Sequence, residues 1–243
     1  MKRKEQGMQW MQILLIGFVC FLCIFFRVYG GKNHVDARET TYGSRQERSE
    51  KPEQQLLQEK KQIAITFDDG PHEIYTPKLL DGLKERHVCA SFFVTGENVE
   101  KYPDLIRRMK EEGHLIGNHT YHHIQLTNSN GAVFYQELVE TNQVIKEITG
   151  KDVEYVRPPF GSWNKKYEQE LNMFPVLWTI DPMDWCNGNA DCVVRHVLKK
   201  AEENAIILLH DEYDSSVTAA LQIIDQLQKE GYEFVTVDQI LVN

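Results

Sequence analysis

Beyond its first sixty residues the chain is short of positive charge. Residues 61–243 carry seventeen Lys and Arg against twenty-nine Asp and Glu, a formal −12, whereas residues 1–60 carry ten against seven, a formal +3. Phosphate backbones are bound by clustered Lys and Arg, and the acidic part has no basic stripe, so nucleic acid is excluded as a partner. Internal repeats are lacking too, so the chain is not a repeat array. Cysteine is scarce, five in 243 residues. Cys20 and Cys23 sit in an apolar run as small hydrophobic residues, and Cys89 sits beside a strand pattern as core. That leaves Cys186 and Cys192, flanking CNGNADC. Outside a cell they are candidates for a disulfide, and two free thiols are an equal alternative, because spacing does not fix geometry.

Long apolar runs are limited to one. Lys2-Arg3-Lys4 precede an uncharged stretch over 7–26, whose strongly apolar part is ILLIGFVCFLCIFF, 13–26, and Arg27 ends it. A positive start and an apolar middle make residues 1–29 a signal-anchor or a cleaved signal peptide. In either case the basic end stays inside and the rest of the chain goes outside. The membrane is then a partner through this N-terminal apolar helix if it is uncleaved. Residues 30–60 are polar and mixed in charge and read as a linker, with a short helix near 53–60. With 42% hydrophobic residues, the remainder, 61–243, suits one domain with a substantial core.

Within 61–243 strand and helix patterns alternate. QIAITF (62–67) precedes a helix near 76–86, ASFFV (90–94) a helix near 103–112, and HLIGN a long amphipathic helix over 131–149 that Gly150 stops. EYVR (154–157), a short helix near 164–171, PVLWTI (175–180), a helix near 189–203, AIILL (205–209), a helix near 216–230 and YEFVTV complete the series. Such alternation makes an α/β fold with a parallel sheet, and the number of units suits a barrel. In such barrels the active site lies at the C-terminal ends of the strands. Those ends read Asp68-Asp69, Asn118-His119, Arg157-Pro158-Pro159, Asp181 and His210-Asp211. Each is polar, ionisable or chain-breaking, and five together exceed ordinary loop chemistry.

Asp68 and Asp69 end an apolar run that Gly70-Pro71 breaks. Inside a strand two neighbours point to opposite faces, but on a strand-end loop both can converge. Two adjacent carboxylates need positive charge close by. HTYHH, 119–123, supplies His119 and His123 four apart, on one face if the segment takes a helical turn. Two imidazoles and one carboxylate suit a catalytic divalent metal, zinc first. The second aspartate is then free to act as a general base beside the metal's water. His122 is expected to face solvent, and His72 and His114 are read as non-ligands.

TFDDGP, HTYHH, RPPFG (157–161), DPMDW (181–185) and LLHD (208–211) resemble, in order and spacing, the five motifs of the NodB-homology polysaccharide deacetylases, carbohydrate esterase family 4. The resemblance spans 61–243. It implies a distorted (β/α) barrel and metal-dependent removal of acetyl groups from a sugar polymer. EGHLIGNHTYHH looks most like the bacterial peptidoglycan N-acetylglucosamine deacetylases, whose partner is an acetylated wall glycan. By the same resemblance Asp68 is the catalytic base and Asp69, His119 and His123 the metal ligands. Arg157 holds the base, and the Phe160 N–H helps form an oxyanion hole. Asp181 pairs with the catalytic histidine, Trp185 and Leu208 wall the acetyl-methyl pocket, and His210 is the general acid. Asp184 and Asp211 are expected to be structural. Other acetylated glycans, such as chitin oligomers, xylan or an exopolysaccharide, are alternative substrates. A noncatalytic sugar-binding module is a third reading, which the presence of both Asp68 and His210 disfavours.

Overall fold

The computed structural model describes residues 61–186 and 188–241. The signal-anchor or signal peptide at 1–29 and the linker at 30–60 lie outside the described residues. Among the described residues no helix is long and apolar enough to cross a membrane.

Among the described residues seven strands form one sheet: β1 (Lys61–Asp68), β2 (Ser91–Val94), β3 (Leu115–Asn118), β4 (Tyr155–Val156), β5 (Phe174–Pro175), β6 (Ala205–His210) and β7 (Tyr232–Phe234). They run in the order β5-β4-β3-β2-β1-β6, with β7 also on β1, and every pairing is parallel. β1 is the axis of the sheet and is apolar on both faces, as a strand covered on both sides must be; Ile63, Ala64, Ile65 and Phe67 are buried. The sheet curls, because the chain after β5 reaches across to β6. Ile180 bridges Ile207, and the Leu208 N–H donates to the Ile180 carbonyl at 2.9 Å.

Among the described residues eight α-helices accompany the strands: α1 (Tyr75–Glu85), α2 (Gly96–Lys101), α3 (Pro103–Glu111), α4 (Gly131–Thr149), α5 (Lys166–Leu171), α6 (Ala190–Lys200), α7 (Asp214–Lys229) and α8 (Val237–Leu241). α4 buries Phe134, Leu138, Thr141 and Ile145, a stripe at helical spacing, and ends on Gly150 at φ 70°. That left-handed cap is cheap for glycine alone. Burying a Leu such as Leu80 or Leu138 fully is worth about 1.5–3 kcal/mol each, so these stripes fix the helices to the sheet.

Two expectations are corrected. Of the stretch 175–180 only Pro175 is in a strand, the two-residue β5, because the carbonyls of Val176 and Leu177 turn to the Arg157 guanidinium, at 3.1 and 3.3 Å, rather than to a ladder. The last pattern, YEFVTV, gives a three-residue strand and then opens α8. A short helix, α2, follows β2 directly and went unread. Because all strands are parallel, Asp68, Asn118 and His210 end on one edge of the sheet, the edge where α/β folds place ligands.

Candidate active site

At that edge lies a cleft of about 400 Å³ lined by Asp68, Asp69, His119, His123, Pro158, Phe160, Trp178, Asp181, Trp185, Leu208, His210 and Tyr213. Every residue expected at the site is in this lining except Arg157, which is wholly buried behind it.

Asp68 and Asp69, neighbours in sequence, occupy different environments. Asp68 is the last residue of β1, and its Oδ1 accepts from Arg157 Nη1 at 2.8 Å. The same Nη1 donates to Thr66 Oγ1, and the guanidinium lies 4.2 Å from the Phe93 ring centre. A fully buried cation with each of its bonds placed is fixed in position, and it compensates the one carboxylate it touches. Asp69 leaves the strand at φ 73°, a left-handed conformation held by Thr95 Oγ1 and Asn98 Nδ2, which donate to its carbonyl. That turn swings its carboxylate toward the histidines.

Asp69 Oδ1 lies 3.3 Å from His119 Nε2 and 3.4 Å from His123 Nε2, yet it is buried without a hydrogen bond of good geometry. One atom from each of the three residues falls within 4.8 Å of the others. His119 Nδ1 lies 2.5 Å from the Arg157 carbonyl, which accepts its proton and leaves Nε2 as the free lone pair. Orphaned oxygen, fixed tautomer and donor set all fit a divalent cation. Electrostatics agree. Burial pushes Asp69 up, but the neighbouring His119, and then the charges of His123 and His210, outweigh it and bring it down to about 2. Burial works to lower His119, but Asp68 and Asp69 outweigh it and raise the ring. His123 is pushed down chiefly by burial. The cluster thus attracts a positive charge, for which a proton and a cation compete.

HTYHH is not a helical turn. It is a bend in which Thr120 and His123 take left-handed backbone, φ 63° and 54°. The two rings still meet, 4.9 Å apart between centres. His122 faces outward with its Nδ1 2.8 Å from Glu137. His114 is in the core, where its Nδ1 accepts from the Ala90 N–H, and His72 accepts from its own turn.

The pairing expected for His210 is corrected. His210 Nδ1 lies 2.9 Å from Asp184 Oδ1, and its backbone N–H donates to Asp184 Oδ2 at 2.9 Å. Asp181 instead accepts from the Met183 N–H at 2.7 Å, an Asx-type turn with Met183 at φ 54°. Asp181 bends the loop, and the bend delivers Asp184 beneath the imidazole. Burial opposes charge on His210, but the Asp184 bond and then Asp184, Asp68 and Asp69 as charges raise it to about 9. Its Nε2 points into the cleft, 3.8 Å from Asp69 Oδ2. Asp211 is buried and accepts from Thr76 Oγ1.

Phe160 (φ 57°), Trp185 and Tyr213 are exposed aromatic residues at the mouth of the cleft, and Leu208 is buried in its wall. Trp178 and Tyr213 went unread. Trp178 was hidden in a strand-like apolar run. Tyr213 stands three residues past a strand end, a place where the strand-end rule would have found it.

The polysaccharide deacetylase family model matches residues 57–176. The peptidoglycan-N-acetylmuramic acid deacetylase PdaA of Bacillus subtilis is 39% identical over 188 residues, covering 74% of this chain and 72% of the relative. The chain belongs to the polysaccharide deacetylase family. The resemblance carried by the five motifs is thereby borne out. Peptidoglycan-N-acetylglucosamine deacetylase PgdA of Listeria monocytogenes is 38% identical over 189 residues, 78% of this chain but 41% of the relative. The chain therefore spans about two fifths of that relative's length. Among solved structures, peptidoglycan deacetylase PdaC of B. subtilis superposes with a TM-score of 0.72 at 38% identity, covering 75% of this chain and 90% of that one.

Proposed function

We propose that this family member is a divalent-metal-dependent N-deacetylase of a cell-wall glycan, acting on peptidoglycan N-acetylglucosamine and releasing acetate and a free amine. One observation carries this reading. A carboxylate held by a buried arginine, an Asp/His/His cluster and a histidine held by a second carboxylate converge on a single cleft with an aromatic mouth.

Asp69, His119 and His123 would hold the cation, zinc by the donor set. When bound, it supplies positive charge that polarises the acetyl carbonyl and acidifies water. Asp68 receives the proton of the attacking water, and Arg157 and Thr66 keep its carboxylate aimed. The Phe160 N–H donates toward the developing oxyanion. His210 gives its proton to the departing nitrogen, which is a poor leaving group without it. Asp184 fixes which imidazole nitrogen faces the substrate. Leu208 and Trp185 exclude water from around the acetyl methyl, and Tyr213 offers a face on which a sugar ring can lie.

The N-terminal run makes the domain extracytoplasmic in this reading, at the membrane through an anchor or released to the wall. Acetate release tests the proposal. The purified chain is given N-acetylglucosamine oligomers and peptidoglycan, with zinc and then with chelator. Zinc-dependent acetate from peptidoglycan is expected. Acetate from the N-acetylglucosamine oligomers alone would move the substrate to another glycan. None from any of them with zinc bound would favour a binding module.

A further inference from the structure

The segment that brings His119 and His123 together has a nearly complete hydrogen-bond account. The carbonyls of Thr120 and Tyr121 accept from the first N–H groups of α2, Gly96 and Glu97, at 3.0 and 3.1 Å. The Thr120 N–H goes to Asn118 Oδ1 and the Ile124 N–H to Thr120 Oγ1. Between them the N–H groups of Tyr121 and His122, the two that precede the ligand His123, both donate to one atom, Glu137 Oε2, at 2.9 and 2.6 Å. The other oxygen of that carboxylate lies 2.8 Å from His122 Nδ1.

Glu137 is buried, at 7% exposure, in the middle of α4, where an ionisable side chain is costly unless its bonds are made. Its neighbours on α4 are tied to the same region. Asn118 Nδ2 donates to the Leu138 carbonyl and to Asn142, and Thr141 Oγ1 donates to the carbonyl of Glu137 itself. His123 stands in left-handed backbone, which a non-glycine residue keeps only where its surroundings hold it.

We propose that Glu137 is the positioning residue of the cation-binding loop. Its carboxylate chelates two successive main-chain N–H groups and so sets where the His123 imidazole stands relative to His119 and Asp69. It touches neither substrate nor cation and acts through His123. This role rests on the metal reading of the Asp69, His119 and His123 cluster.

The test is zinc affinity by calorimetry on the full chain, paired with amide exchange on the zinc-free wild type. Glu137→Leu removes both acceptors and is expected to weaken zinc by roughly tenfold or more, the usual cost of losing a ligand's support. Glu137→Gln keeps an oxygen for the two N–H groups and is expected to restore most of the affinity. His122→Ala loses only the ring contact and is expected to bind zinc within about threefold of wild type. The Tyr121 and His122 amides of the zinc-free wild type are expected to exchange slowly, a result that needs no variant to fold. Glu137→Leu binding zinc as tightly as wild type, or fast exchange at both amides, would overturn the role. A wild type that binds no zinc but protects both amides would overturn the metal reading while leaving the tether in place.

Discussion

Two loops build the site in different ways. The loop at 119–123 is pinned through almost all its main-chain groups, by α2, by Asn118 and by Glu137, and its two imidazoles stand 4.9 Å apart between centres. The loop at 181–186 is shaped by the Met183 N–H donating to Asp181 and the Cys186 N–H donating to the Met183 carbonyl, and is held to β6 by Asp184, with Met183 and Trp185 exposed. The first loop is preorganised for a charge. The second offers one tether and a surface, which suits a place where a polymer enters and leaves.

The largest effect is expected in the pinned loop. His119→Ala removes a proposed ligand and the bond to the Arg157 carbonyl, so both zinc and turnover should be lost, read by metal content and acetate release. Zinc bound normally by that variant would break the comparison at its root. In the second loop, Asp184→Asn should cost roughly 10²-fold in kcat, in line with general acid catalysis. Asp181→Asn keeps an acceptor for the Met183 N–H and should stay within about threefold of wild type. The reverse order would return the pairing to Asp181.

The pH profile sharpens the same contrast. In the proposed mechanism His210 gives up a proton, and its raised value of about 9 keeps it charged below that pH. Activity should therefore fall as pH rises through about 9. In Asp184→Asn, whose largest supporting partner is gone, the fall should begin at lower pH. On the acid side His119, raised by Asp68 and Asp69, takes a proton in competition with the cation, so zinc affinity should weaken as pH drops. Trp185→Ala should raise KM for a polymer by roughly tenfold with little change in kcat.

How much of this was legible in the sequence divides along the same line. Parallel αβ alternation, the bounds of α4 and the polar strand ends were readable because periodicity and strand polarity are local. DDGP and HTYHH were readable because their charges have few alternative uses at a strand end. The turn joining the two histidines was misread, since Glu137 and α2 impose it from a distance. DPMDW has two aspartates three apart, and no spacing rule says which one turns the loop and which one reaches the imidazole. Only the fold, which puts the His210 N–H within reach of Asp184, decides it. The short β5 was hidden likewise, because the pull of Arg157 on two carbonyls is a contact across about twenty residues.

The central claim is the division of labour between Asp68 and Asp69, side by side in sequence and apart in role. It is tested most directly by measuring zinc content and acetate release from peptidoglycan together, for wild type and Asp68→Asn. The account predicts equal zinc and a loss of acetate release of roughly 10²–10⁴-fold in the variant. Near-normal acetate release by Asp68→Asn, or loss of zinc along with activity, would contradict it.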